Sequence, residues 1–68
     1  MKELRHLRKR KGYLVTYMAK KLNISSPFYS QIESTKRRLS YVMAIKISKI
    51  FDMKPDELFY KYFSEMMN

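Results

Sequence analysis

The sequence predicts an all-α fold, a compact bundle of five short helices in a single domain that spans residues 1–68. Apolar residues recur at helical spacings of three and four, and no segment of five or more residues alternates cleanly between apolar and polar. Capping residues and prolines recur at intervals that suit short helices. A hydrophobic fraction of 46% is enough for a folded core, and 68 residues leave room for only one.

The first helix is predicted from Lys2 to Lys11, because Leu4 and Leu7 lie three apart and give one narrow apolar face. The basic residues at its C-terminal end interact favourably with the negative end of the helix dipole. Gly12 follows directly, and a glycine in this position commonly ends a helix.

The second helix is predicted from Thr16 to Leu22, with Met18 and Ala19 facing the core beside Leu22. Asn23 comes next, and asparagine tolerates the left-handed backbone conformation better than most residues with a side chain. The second helix is therefore expected to end in a tight turn.

The third helix begins with Ser25 as a plausible N-cap and has Pro27 in its first turn, where the missing N–H is not needed. Tyr29 and Ile32 lie three apart and are expected to point inward. The outward face is then formed by small and polar residues: Pro27, Ser30, Gln31 and Ser34.

A polar basic loop, Thr35–Arg38, leads to a fourth helix capped by Ser40. A break at Asp52–Lys54 precedes a fifth helix, which starts with Pro55 in the position that proline favours. The apolar stripe predicted for the fourth helix comprises Tyr41, Met43, Ala44, Ile47, Ile50 and Phe51.

The basic residues are concentrated in one part of the chain. Residues 1–46 carry twelve Lys and Arg against two acids, for a charge of +10, whereas residues 47–68 carry three bases and four acids, for −1. Such a division predicts one surface that meets a polyanion, although lysine can also serve solubility alone.

Composition excludes several classes of function. The chain has no cysteine, a single histidine (His6) and a single glycine (Gly12), so thiolate or histidine metal clusters and Gly-rich phosphate loops are excluded. The apolar run Tyr41–Ile45 is too short to cross a membrane, and no paired carboxylates or nucleophile–base spacing indicate an enzyme. We expect a cytoplasmic binding protein without a metal, cofactor, membrane or small-molecule ligand.

The second and third helices together match the plan of a helix-turn-helix, in which a rigid, apolar-backed helix presents small polar residues to a DNA major groove. At this point the chain resembles the phage repressor and Cro family of DNA-binding transcriptional regulators, also called the XRE type. The resemblance runs from Lys9 to Leu58, about fifty of the 68 residues. Its motifs are Leu7, Arg8, Lys11 and Gly12, then Ala19–Ser25, then Ile32–Arg37, and finally Ala44, Ile47, Phe51, Met53, Asp56, Glu57 and Leu58.

The resemblance implies roles for individual residues. The third helix becomes the recognition helix, and Gln31 is the foremost candidate for a base contact, since a glutamine amide can bind adenine through both of its ends. Arg8 and Glu33 match a family ion pair between the first helix and the recognition helix. Base contacts are implied for Ser26, Pro27, Ser30 and Gln31, and phosphate contacts for Ser34, Thr35, Lys36 and Arg37, with Arg38 beside them.

The chain departs from the family pattern at several positions, and Asn23 is one of them, since it stands where the family usually has glycine. Leu14 and Val15 stand where the family often has a capping threonine and a phosphate-binding glutamine, so Thr16 is expected to cap the second helix instead. Thr35 replaces the usual glycine, and Pro27 can offer only apolar contact to a base, such as a thymine methyl.

The C-terminal tail, residues 59–68, contains more aromatic surface than a small monomer readily buries. Exposed aromatic and methionine side chains mark contact sites, so we expect a symmetric homodimer on a palindromic operator. The candidate interface residues are Phe59, Tyr60, Tyr62, Phe63 and Met66.

These features predict a sequence-specific DNA-binding regulator, a repressor that needs no cofactor. One alternative is a small adaptor or antitoxin-like protein whose aromatic tail binds a protein partner, with DNA binding secondary. Another is a basic binder of RNA or anionic membranes.

Overall fold

The computed structural model describes residues 1–66, with side chains for residues 1–65, and confirms the all-α prediction. No strand occurs within residues 1–66. The five helices are α1 (Lys2–Arg10), α2 (Val15–Leu22), α3 (Ser26–Glu33), α4 (Tyr41–Ile50) and α5 (Pro55–Met66).

Serine side chains begin α3 and α4, as the sequence predicts. Ser25 Oγ accepts a hydrogen bond from the backbone N–H of Phe28, and Ser40 Oγ accepts one from that of Met43, each at 3.1 Å. Each cap satisfies a donor that the first helical turn cannot pair internally.

The start of α2 differs from the prediction that Thr16 caps it. Leu14 occupies the N-cap position with extended backbone angles (φ −80°, ψ 156°), and its side chain makes no capping hydrogen bond. The Met18 N–H donates to the Leu14 carbonyl at 3.1 Å and closes the first turn. Thr16 therefore lies inside α2, where its hydroxyl is no longer positioned as a cap.

A residue in the left-handed conformation follows each of the first four helices, and Asp52 (φ 56°) is the one after α4. Gly12 (φ 76°) follows α1 and Asn23 (φ 58°) ends α2, as expected. Thr35 adopts φ 60° just after α3, although β-branched residues resist this conformation. The turn after α3 therefore reaches the left-handed conformation without a glycine.

One core contains residues from all five helices and from the loop before α4. Two details differ from the predicted apolar stripe of α4: Tyr41 is 56% exposed at the first turn, and the polar Ser48 is fully buried beside Ile47. The buried apolar residues are Leu4, Met18, Ala19, Leu22, Tyr29, Ile32, Leu39, Ala44, Ile47, Phe51 and Phe59.

The aromatic tail packs largely against the rest of the molecule. Phe59 is a core residue, and Tyr62 and Phe63 are half-buried. The Tyr62 hydroxyl accepts a hydrogen bond from the backbone N–H of Leu39 at 3.0 Å, which ties α5 to the loop before α4. Phe59, Tyr62 and Phe63 therefore form part of the fold itself.

Candidate nucleic-acid interface

A three-residue turn holds α2 and α3 in a fixed arrangement. The Asn23 N–H donates to the Lys20 carbonyl at 3.2 Å, and the Ile24 N–H donates to the Ala19 carbonyl at 3.0 Å. These bonds satisfy carbonyls at the end of α2 while the left-handed Asn23 reverses the chain. Helix α3 then begins at once, so its direction is set by the packing of α2.

The two faces of α3 have opposite character. Tyr29 and Ile32 are fully buried and pack in the core, whereas Pro27 and Ser30 are exposed and Ser26 and Gln31 are half-buried. Since the inward face is apolar and rigid, the outward face is presented as a fixed polar surface.

A buried ion pair joins α1 to the C-terminal end of α3. Arg8 Nε donates to Glu33 Oε2 at 2.6 Å, and Arg8 Nη2 donates to Glu33 Oε1 at 3.2 Å. Arg8 Nη1 also donates to the Tyr13 carbonyl at 2.8 Å, and the exposed Arg5 lies 3.5 Å from Glu33 Oε1. This bidentate geometry fixes where α3 ends relative to α1.

The surroundings of this ion pair shift the pKa values of Glu33 and Tyr29. Burial is the largest single influence and raises the pKa of Glu33, but the combined interactions with Arg8 and its neighbours outweigh burial and hold that pKa below its ordinary value. Burial, and then the neighbouring Glu33 carboxylate, raise the pKa of Tyr29. Within the described residues, the buried Tyr29 hydroxyl makes no hydrogen bond.

The loop after α3 is anchored at its base and exposed along its length. The Gln31 carbonyl accepts hydrogen bonds from the N–H of Lys36 at 2.9 Å and from that of Arg37 at 3.2 Å. The next residue after the exposed stretch, Leu39, is buried and held by Tyr62. The exposed residues of this loop are Ser34, Thr35, Lys36, Arg37 and Arg38.

One loop residue is also fixed by its side chain. The Arg37 guanidinium lies over the Phe28 ring, 4.2 Å from its centroid, and Arg37 Nε donates to Gln31 Oε1 at 3.2 Å. This contact is not predicted by the sequence. Gln31 and Arg37 are six residues apart across a helix end, a separation for which no local spacing rule predicts a contact.

The surface formed by α2, α3 and the following loop is uniformly basic. The segment 14–46 contains a single acid, Glu33, which is buried and paired with Arg8. The basic residues of that segment are all exposed: Lys20, Lys21, Lys36, Arg37, Arg38 and Lys46. The outward face of α3 therefore lies within a field that attracts polyanions.

The predicted site residues fall into two groups in space. Those assigned to bases and phosphates lie on α3 and its following loop, whereas the predicted interface residues lie on α5. Within the latter, the burial of Phe59 in the core leaves it no surface for a partner, which corrects that assignment. Tyr60 is 71% exposed, and the side chain of Met66 lies outside the described residues.

No helix among the described residues is both long and apolar enough to cross a bilayer. Across residues 1–66, no cluster of histidine and carboxylate side chains has the arrangement of a metal site.

A family model described as helix-turn-helix matches residues 4–58, from α1 into α5. No curated protein and no solved structure matches the chain. The matched segment includes the ion pair, the α2–α3 turn, α3 and the basic loop. The chain thus belongs to the helix-turn-helix family of the phage repressor and Cro type, a family of DNA-binding transcription regulators rather than enzymes.

Proposed function

We propose that the protein is a cytoplasmic repressor that binds a palindromic operator as a homodimer, with α3 in the major groove. The observation that carries this proposal is the polar outward face of α3, set in a segment whose only acid is buried. Serine and glutamine on that face can contact base edges, and a groove about 12 Å wide admits a helix. No cofactor or small-molecule ligand takes part in this function.

The exposed loop supplies the contacts that are independent of sequence. Lys36 and Arg38 extend from a loop whose backbone is held to the end of α3. Phosphate contacts from such residues set the register of a protein on the duplex but do not read the bases. Ser34 and Thr35 add short hydroxyl side chains to the same loop.

Replacing Gln31 with alanine tests the recognition helix. We expect Gln31→Ala to lower affinity for the operator by about 1–3 kcal/mol and to relax the preference at one base pair. Its outward position predicts little change in stability. Binding to a set of single-base operator variants, measured by fluorescence anisotropy, would show this as a loss confined to one position.

Lys36→Ala is the matched control for Gln31→Ala. It should weaken binding to all sequences alike and make the dependence of log affinity on log salt shallower by about one unit. If Gln31→Ala instead lowers specific and non-specific affinity equally, Gln31 does not contact a base.

The exposed aromatic surface supports the dimer. Tyr60 and the half-buried Phe63 lie one helical turn apart on α5, and the Phe63 ring contacts the exposed Tyr41 with centroids 5.8 Å apart. Val42, next to Tyr41, is exposed as well. A dimer that binds a palindromic operator must hold its two recognition helices about 34 Å apart, one DNA turn, and we place the two-fold axis of that dimer at this surface.

Sedimentation of wild-type protein and of Tyr60→Ser tests this interface. We expect the wild type to dimerise at micromolar concentration, with or without operator, and Tyr60→Ser to shift toward monomer. Truncating the tail is unsuitable, because Phe59 and Tyr62 hold the fold together. A wild-type monomer on and off DNA contradicts the dimer, and capture of another protein through Tyr60 would favour an adaptor.

A further inference from the structure

In the free protein, the side chain of Gln31 already makes a hydrogen bond within the molecule. Its Oε1 accepts a hydrogen bond from Arg37 Nε at 3.2 Å. A guanidinium nitrogen only donates hydrogen bonds, so the end of the amide facing Arg37 is the oxygen. The Nε2 amino group is consequently the end turned away from Arg37.

Two further contacts hold Arg37 in this place. Its guanidinium lies 4.2 Å from the centroid of the Phe28 ring, and its backbone N–H donates to the Gln31 carbonyl at 3.2 Å. Phe28 is half-buried and packs against the core, so the ring is a fixed platform. A planar guanidinium can stack on an aromatic face, whereas a lysine ammonium is a compact charge that cannot stack.

The contact changes what Gln31 can offer to a base. Binding adenine through both amide ends requires Oε1 to accept from the adenine amino group. Beside a guanidinium, that oxygen shares its lone pairs with a cation, and a second donor approaching it meets the same positive charge. The amino group keeps its full capacity to donate.

We propose that Arg37 is a positioning residue that orients the Gln31 amide, so that Gln31 donates to a base edge rich in acceptors: guanine O6 and N7, or thymine O4. This inference rests on the proposed function, because it specifies how the recognition helix reads one base. By this inference, Arg37 contributes to base selection through Gln31. The position of Arg37 in the loop would by itself predict a phosphate contact.

The test uses the full chain and four duplexes that carry each base in turn at the position where Gln31→Ala loses discrimination. Wild-type protein should bind the guanine or thymine duplex about tenfold more tightly than the adenine duplex. Arg37→Ala should reduce that ratio to below about threefold or shift the preference to adenine. Arg37→Lys, which keeps the charge but not the planar group, should do the same.

Arg38→Ala is the matched control, since it removes the same charge from the neighbouring exposed residue. It should weaken binding to all four duplexes and leave the ratio between them intact. If Arg37→Ala behaves like Arg38→Ala, or if the wild type prefers adenine, the inference is overturned while the proposed function stands. A wild type with no base preference at any position overturns both.

A measurement without DNA tests the contact between Arg37 and Gln31 independently of the proposed DNA binding. In the free protein, the side-chain resonances of Arg37 Nε–H and of the Gln31 amide should both move on Phe28→Leu, because the ring is the platform under the guanidinium. If these resonances keep the same chemical shifts in Phe28→Leu, the contact does not form, and this conclusion holds whether or not the protein binds DNA.

Discussion

Replacing Arg8 with methionine will lower the free energy of unfolding by about 3–5 kcal/mol, the usual cost of removing one partner from a buried ion pair. The side chain of Glu33 is only 3% exposed, so water cannot replace the two hydrogen bonds that Arg8 donates. Small domains have about 5–15 kcal/mol of stability in total, so this variant is expected to be largely unfolded near 37 °C. Urea denaturation followed by circular dichroism at pH 7 measures the loss.

The double variant Arg8→Met, Glu33→Leu is the matched control. It removes both charges and keeps the volume, and such replacements are often neutral or stabilising. We therefore expect it to recover most of the stability. A loss below about 1 kcal/mol for Arg8→Met alone would contradict the view that this pair holds α1 against the recognition helix.

The same pair predicts a dependence of stability on pH. Because the pKa of Glu33 is lower in the folded protein than its ordinary value of about 4.3, the folded state favours the ionised form. This contribution is fully present above the ordinary pKa and is lost as the pH falls through the folded-state pKa. The double variant should lack this acid-sensitive part of the stability curve.

Replacing Ile32 with alanine will cost about 2–5 kcal/mol, because the side chain is buried and its removal leaves a cavity in the core. Its neighbour Gln31 is the natural comparison, since the two residues share α3 but lie on opposite faces. Gln31→Ala should change stability by less than about 0.5 kcal/mol. Chemical denaturation of both variants separates the structural face of the helix from the reading face.

A small loss for Ile32→Ala would mean that α3 is not held rigidly by its inward face. A loss of several kcal/mol for Gln31→Ala would mean that the outward face is structural. Either result would contradict the view that the inward face of α3 stabilises the fold while its outward face is free to contact bases.

Local chemistry made much of the fold predictable. Ser25 and Ser40 cap helices because a serine oxygen can accept from the first helical turn, and Asn23 ends α2 because it tolerates a positive φ. Both signals are contained within a few residues. The same reasoning failed for Thr16, because Leu14 takes the extended cap conformation without a side-chain acceptor.

The features that sequence reasoning missed depend on contacts between distant or irregular segments. Tyr62 holds Leu39 across 23 residues, and no spacing rule connects a helix near one end of the chain to a loop in its middle. Tyr41 fits the apolar period of α4 but lies at its first turn, where the core does not cover it. The contact between Arg37 and Gln31 depends on the exact path of the chain after α3.

Selection from a random duplex library with the purified protein at physiological salt tests directly whether α3 reads a DNA sequence. We expect enrichment of an inverted repeat with half-site centres about 10 base pairs apart, since two copies of α3 would lie one DNA turn apart. Recovery of no sequence above background, from protein that is folded and helical, would contradict the assignment of α3 as a reading helix.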